Sequence, residues 1–425
     1  MNIFTLKFFS VNILTFFFLS ILSSPQSGYA QIVKNNLITI GTVDNIHSKI
    51  LNEDREIWVY VPASFSDKLF SSQKYPVAYL FDGDAHFPSV MGMIQQLSGV
   101  NGNSICPEMI LVGIPHTDRM RDLTPTHVTT APFMDSASVS TTGGGEKFTD
   151  FMEKELIPHI DSLYPTTPYR MLIGHSIGGL MVVNTLIHHP DLFNAYIAID
   201  PSMWWDNHKL LKESSDVFKK KKFDGKTLFL AMANTLPDGL DTADVRKDTS
   251  TSPSINHPRS ILQLSDILKN NSQNGLRWNW KYYREDDHGS VPLIAEYDAL
   301  HFIFNGYKFS LPEPEKLNSI NVDSVIITHY KNLSKMMGYS VLPTETMVNE
   351  LGYYFLQQKI FNKSFSLFKM NIDNYPKSSN VYDSMGDYYN ANGEKAKAIE
   401  YFTKALSLKD VPETKQKLEM LKSGK

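Results

Sequence analysis

Between residues 35 and 310, short apolar runs alternate with stretches in which apolar residues return every three or four positions. The runs Glu56–Val61, Tyr75–Phe81, Met109–Gly113, Tyr169–Ile173, Ala195–Ile199, Thr227–Met232 and Leu276–Tyr283 are bounded by turn residues and read as strands. The stretches Glu146–Tyr164, Ile177–His188, Arg259–Asn270 and Val291–Phe304 carry the helical period. Several of the runs lack the polar alternation of a half-exposed strand, which points to a mostly parallel sheet covered on both faces. The fold class is therefore α/β, and in such sheets ligands bind beyond the carboxyl ends of the strands.

From about residue 342 the strand signal stops and the chain reads as helical. Leu351-Gly352, Phe355 and Phe368 return 34 residues later as Met385-Gly386, Tyr389 and Phe402. Ala398 and Ala405 fill the small positions of the second copy, where the first copy has Ser364 and Asn371. Pro376 ends the first copy, and Pro412 follows near the end of the second. This resembles the tetratricopeptide repeat, whose period is 34 residues. Two copies and a closing helix (Pro412–Leu421) are few for a free-standing solenoid, so docking against the preceding domain is expected. The helices then either receive a protein partner or simply cap the domain before them. The expected divisions are a leader at 1–30, an α/β domain at 31–310, a linker at 311–341 and a tetratricopeptide-like region at 342–425.

The leader has Lys7 as its one charged side chain, an apolar run from Phe8 to Leu22, and Gly28-Tyr29-Ala30 before a cut at Gln31. This is the pattern of a secretory signal peptide, and it makes the expected location periplasmic or secreted. The alternative is an uncleaved N-terminal anchor. With 41 basic against 45 acidic residues the formal net charge is −4, which argues against nucleic acid and against an anionic membrane as partners. The lone Cys106 rules out an internal disulfide or a cysteine zinc cluster and reads as a buried filler.

The chemistry centres on Gly174-His175-Ser176-Ile177-Gly178, where an apolar strand runs into a helix. G-x-S-x-G in that context is a nucleophile elbow: the serine occupies a strained turn, and small residues on either side let the backbones approach. A nucleophilic serine needs a base, a carboxylate to orient the base, and two N–H donors for the oxyanion. His288, in Asp286-Asp287-His288-Gly289 after the last strand, is the expected base. The carboxylate is sought after the strand ending at Met232, where Asp241 is preferred to Asp238 and a Ser-His dyad remains open. The N–H groups of Ile177 and of Asp84, in the loop after Phe81, are the expected oxyanion donors. His175 reads as a packing residue and His257, beside Pro258, as a structural or solvated one.

Taken together, the residues resemble the esterase branch of the α/β-hydrolases that includes siderophore esterases, feruloyl esterases, S-formylglutathione hydrolases and mycolyltransferases. The resemblance covers roughly 35 to 310. It rests on Leu80-Phe-Asp-Gly83, Arg119-Met-Arg-Asp-Leu-Thr-Pro125, Gly143-Gly-Gly145, Glu155-Leu-Ile-Pro158, Gly174-His-Ser-Ile-Gly-Gly179, Pro201-Ser-Met-Trp-Trp205 and Asp287-His-Gly289. It implies an α/β-hydrolase fold and carries over Ser176 and His288. It carries the acid poorly, because Asn234 and Thr235 stand at the strand end where the family often has a carboxylate. Arg119 and Arg121 are candidates for a cationic substrate wall or for a structural pair, and Trp204 and Trp205 for a pocket roof or for core. The expected activity is an exported serine esterase acting on a small-molecule or carbohydrate-linked ester, with no metal or organic cofactor implied. An acyltransferase on the same serine, or a non-catalytic binding protein with a recruiting tail, are the alternatives.

Overall fold

The structure is a computed structural model that describes residues 33–34, 37–66, 73–132 and 134–423. The expected leader lies outside the described residues. The chain divides into two compact units, Met1–Lys308 and Phe309–Lys425.

In the first unit, β1 (Val33–Lys34) and β2 (Leu37–Ile38) form a small antiparallel pair. The remaining strands are β3 (Thr42–Ser48), β4 (Glu53–Tyr60), β5 (Tyr75–Phe81), β6 (Ile110–Ile114), β7 (Thr166–His175), β8 (Ala195–Ile199), β9 (Thr227–Ala233) and β10 (Arg277–Tyr283). They form one sheet in the order β10-β9-β8-β7-β5-β6-β4-β3. Neighbours from β10 to β6 are parallel, and β4 runs antiparallel to both β6 and β3. Every residue of β5, β6, β8 and β9 is buried, because helices cover both faces of the sheet centre. The edge strand β10 instead alternates, Arg277, Asn279 and Lys281 facing out. The Ile177–His188 helix is buried from Ile177 through Ile187, which is why its sequence is apolar all round.

Several elements differ from the sequence reading. The segment after Phe81, expected as a loop, begins a helix at Gly83–Ser98 that contains Pro88. A second unexpected helix spans Trp205–Lys220, and the helix expected from Arg259 begins at Pro253, with Pro258 inside it. Each of these prolines is the sixth residue of its helix, past the first turn, so each helix gives up one i→i−4 hydrogen bond there and continues beyond it. The polar strand β3 has no counterpart among the expected strands, since it lacks an apolar run.

Arg55 is buried against the rings of Phe148 and Phe151, and its Nη1 donates to Asp122 Oδ2 at 2.5 Å and Glu53 Oε1 at 3.0 Å. Arg121 completes this network by donating to both carboxylates.

The second unit stacks helices. Residues 311–341 are not a bare linker: the helix Val322–Met337 occupies most of them, capped by Asn321. Its Val322 and Ile326 pack with Val348, Leu351, Phe355 and Leu367, an amphipathic face that a linker would not need. Two hairpins follow, Glu345–Gln357 with Phe361–Asn374 and Ser379–Ala391 with Lys395–Leu408, then the helix Pro412–Ser423. A Cβ on Gly352 would meet the Phe368 ring at 2.5 Å, and one on Gly386 would meet the Phe402 ring at 2.6 Å. The same close approach thus recurs in both hairpins. In the first, Asn371 is buried and its Nδ2 donates to the Glu345 carbonyl at 2.9 Å. The last helix is tied on by Lys417, whose Nζ reaches Asp383 at 2.7 Å and Asp387 at 2.6 Å.

Candidate active site

Ser176 sits between β7 and the Ile177–His188 helix with φ 58° and ψ −116°, a strained conformation for a residue with a side chain. The turn is possible because Gly174 and Gly178 touch: a Cβ on Gly174 would stand 2.5 Å from the Gly178 carbonyl oxygen. The Ser176 backbone is pinned as well, its N–H donating to Ile199 O at 2.9 Å and its carbonyl accepting from Ser202 N at 3.0 Å.

The Ser176 hydroxyl lies 3.1 Å from His288 Nε2. His288 Nδ1 is 2.6 Å from Asp200 Oδ2, and Asp200 has no exposed surface. Asp200 directly follows β8; its Oδ1 accepts from the Ala233 N–H of β9 at 2.9 Å, and its Oδ2 also meets His257 Nε2 at 2.9 Å. Burial alone would push this carboxyl up, but the hydrogen bonds and charges of His257 and His288 overcome it and hold it well below the usual carboxylate range. An ionised carboxylate only accepts, so Nδ1 of His288 carries the proton and Nε2 turns a lone pair to the serine. The loop that carries His288 is braced by Asn234, whose backbone N–H donates to Asp286 O at 2.7 Å and whose Nδ2 donates to Arg284 O at 2.8 Å.

Asp241 is not at this site. It is exposed and caps the helix Thr242–Lys247, accepting from Ala243 N at 2.7 Å and Asp244 N at 2.9 Å. Those backbone N–H groups lower its pKa. The carboxylate that reaches His288 comes instead from the end of β8, one strand closer to the serine. The sequence did hold a signal for it, an acidic residue ending the wholly apolar run Ala195–Ile199. Asp287 closes the turn beside His288, its Oδ1 accepting from Gly289 N and Ser290 N at 2.9 Å each.

Ile177 and Asp84 both lie in the first turn of a helix, where backbone N–H groups have no partner within the helix. Those helices begin at the ends of β7 and β5, which are paired neighbours, so two helix N-termini open side by side at the serine. Arg119 ties the β5 end to the elbow: Nε and Nη2 grip the two oxygens of Asp82 at 2.8 and 2.9 Å, and Nη2 reaches His175 O at 3.4 Å. Arg121 spends Nε, Nη1 and Nη2 on Asp122 and Glu53, so as a substrate wall it is excluded by its own ion pairs. Trp205 is buried with Nε1 donating to Thr126 O at 3.2 Å, which makes it core rather than roof; Trp204 is half-buried beside it.

His175 packs its ring 4.5 Å from that of His288, and burial first, then the neighbouring His288, push its pKa down to about 3. Its role in the fold is neutral packing. Cys106 is buried, and burial lifts its thiol to about 12, so it is no nucleophile. His257, read from the sequence as structural or solvated, lies on a helix that Pro258 obscures, and that helix presents it to Asp200.

The chain is similar to several known proteins. The family described as Putative esterase matches residues 48–250. The chain is 32% identical over 243 residues to the ferri-bacillibactin esterase of Bacillus subtilis, a match covering 54% of this chain and 78% of that protein. It is 27% identical over 168 residues to the siderophore triacetylfusarinine C esterase of Aspergillus fumigatus, spanning 39% of this chain and 57% of that enzyme's length. An IroE-like serine hydrolase from Shewanella oneidensis superposes with a TM-score of 0.64 at 30% identity, over 78% of this chain and 98% of its own. A solved structure from Capnocytophaga ochracea shares the fold with a TM-score of 0.61 at 16% identity, over 90% of this chain and 99% of its own. The chain belongs to the Putative esterase family of the α/β-hydrolases and is a carboxylic ester hydrolase.

Proposed function

We propose that this protein is an exported serine esterase whose substrates are siderophore esters. The observation that carries the mechanism is the line Ser176 Oγ, His288 Nε2, His288 Nδ1, Asp200 Oδ2, with separations of 3.1 and 2.6 Å. Ser176 attacks the ester carbonyl while His288 takes its proton and Asp200 steadies the imidazolium. The N–H groups of Ile177 and Asp84 receive the oxyanion. His288 then protonates the leaving alcohol, and water, deprotonated by the same imidazole, releases the acid and restores the serine.

The substrate class is supported by the names of two matching proteins, a ferri-bacillibactin esterase and a triacetylfusarinine C esterase. Export is supported by the leader pattern of residues 1–30. We read the two hairpins of the second unit as tetratricopeptide-like, on the 34-residue return of their glycine–phenylalanine contacts.

The test is hydrolysis by the purified protein of ferri-bacillibactin and enterobactin beside p-nitrophenyl acetate and a feruloyl ester. The reading expects siderophore esters to have the highest kcat/KM. Turnover of the simple and feruloyl esters with none of the siderophores would reject the substrate class while leaving the esterase mechanism standing.

A further inference from the structure

His257 stands outside the serine–histidine–aspartate line, yet it is built onto the same oxygen. Its Nε2 lies 2.9 Å from Asp200 Oδ2, the atom that also accepts from His288 Nδ1 at 2.6 Å. The two rings are 5.5 Å apart and nearly perpendicular, at 85°, so they approach the carboxylate from different sides rather than stacking. The His257 side chain is only 13% exposed. Because Asp200 is fully buried and ionised, both of its oxygens need donors, and the protein supplies three: His288 and His257 at Oδ2 and the Ala233 N–H at Oδ1.

The position of His257 is also held from outside. The preceding Asn256 accepts through Oδ1 from His208 Nε2 at 2.8 Å and from Arg259 Nη2 at 3.2 Å. His208 ends the run Asp206, Asn207, His208, all left-handed at φ 47°, 52° and 62°. Three consecutive non-glycine residues in that region are costly, and the contact to Asn256 is part of what holds them there.

We propose that His257 is a positioning residue for the esterase reaction, a second donor that keeps the Asp200 carboxylate ionised and aimed at His288. The proposal rests on Ser176, His288 and Asp200 acting as set out above. By sharing Oδ2, His257 divides the carboxylate charge that His288 faces while Asp200 still orients the imidazole. Losing the donor leaves a buried lone pair unfilled, which strengthens the hold of Asp200 on a proton shared with His288. His288 is then in the wrong protonation state for a general base over more of the acid range, and the acid limb of the pH profile moves to higher pH. The titratable and charged groups around His257 are Asp200 and His288 in direct contact, and His175 behind His288. Through Asn256 they also include His208 and Arg259, the latter within 3.9 Å of Asp248.

The experiment compares His257→Gln, which can place an amide N–H near Nε2, with His257→Phe, which keeps ring bulk without a donor. His257→Asn, whose amide is too short to reach Oδ2, is the second donor-less variant. Each is made in the full chain and checked for its melting temperature. With p-nitrophenyl acetate, Gln is expected to stay within about threefold of the native kcat with its acid limb in place. Phe and Asn are expected to lose roughly tenfold or more in kcat with KM little changed, their acid limb displaced to higher pH. Folded Phe and Asn variants with native kcat and a native acid limb overturn the proposal, as does a Gln variant impaired as deeply as Phe. Ser176→Ala run alongside separates the two readings: if it stays active the esterase mechanism fails, and if it is inactive while His257→Phe is native only the role of His257 fails.

Discussion

Replacing Asp200 by asparagine puts the acid assignment to its sharpest test. The carboxylate accepts from His288 and His257 through Oδ2 and from the Ala233 N–H through Oδ1. An amide has one acceptor and one donor end. If its NH2 faces Ala233, two donors collide. If it faces the imidazoles, His288 must turn a lone pair toward the new amide and its proton toward Ser176, which is the wrong tautomer for a base. Either arrangement removes the charge that steadies the imidazolium. The expected loss in kcat is roughly a thousand- to ten-thousandfold, about 4–5.5 kcal/mol on the barrier. Asp241→Asn is the control, because asparagine caps a helix as well as aspartate does and should leave kcat unchanged. Initial rates with p-nitrophenyl acetate, beside circular dichroism and melting temperature, provide the readout. Asp200→Asn within threefold of native kcat, or Asp241→Asn falling as far as Asp200→Asn, would refute the assignment.

Other consequences follow from groups away from the reacting atoms. Glu296 is almost fully buried, its Oε2 lacks a hydrogen-bond partner among the described residues, and burial raises its pKa to about 8. The fold therefore holds a proton that the unfolded chain releases above about 4.5, so this contribution is intact below that pH and is lost as pH rises through about 8. In urea titrations Glu296→Gln should match the native unfolding free energy at pH 4 and exceed it at pH 8.5 by a few kcal/mol; equal values at both would contradict the burial argument. Arg119→Lys cannot grip both oxygens of Asp82, so kcat should fall roughly ten- to a hundredfold as the β5 end shifts, with the melting temperature little changed. Arg55→Leu strands part of the charge on Asp122 and Glu53, and should cost about 3 kcal/mol in a denaturant titration while the remaining folded enzyme keeps its kcat.

The central sheet was legible because buried parallel strands leave continuous apolar runs, and Ala195–Ile199 and Thr227–Ala233 are such runs. Ser176 was legible because the elbow needs glycine at two specific places, and His288 because it follows the last strand. The acid was harder to place. β8 and β9 lie side by side and run parallel, so either could supply a carboxylate, and only the folded contacts show that Asp200 reaches His288 while Asp241 caps a helix. His257 was hidden for a different reason. Pro258 reads as a helix boundary, yet the helix Pro253–Asn270 runs through it, and Pro88 concealed the helix Gly83–Ser98 in the same way. The Arg55 network was invisible because isolated charges within a strand, Glu53 and Arg55, resemble a solvent-facing edge until Asp122 and Arg121 arrive from another segment.

The most direct test of the account is covalent labelling of the intact protein by a fluorophosphonate, read by mass spectrometry on native and Ser176→Ala protein. The account predicts a single adduct on the peptide containing Ser176, no adduct on the Ser176→Ala protein, and loss of ester hydrolysis in step with labelling. An adduct that persists in Ser176→Ala, or hydrolysis that continues after Ser176 is fully labelled, would contradict it.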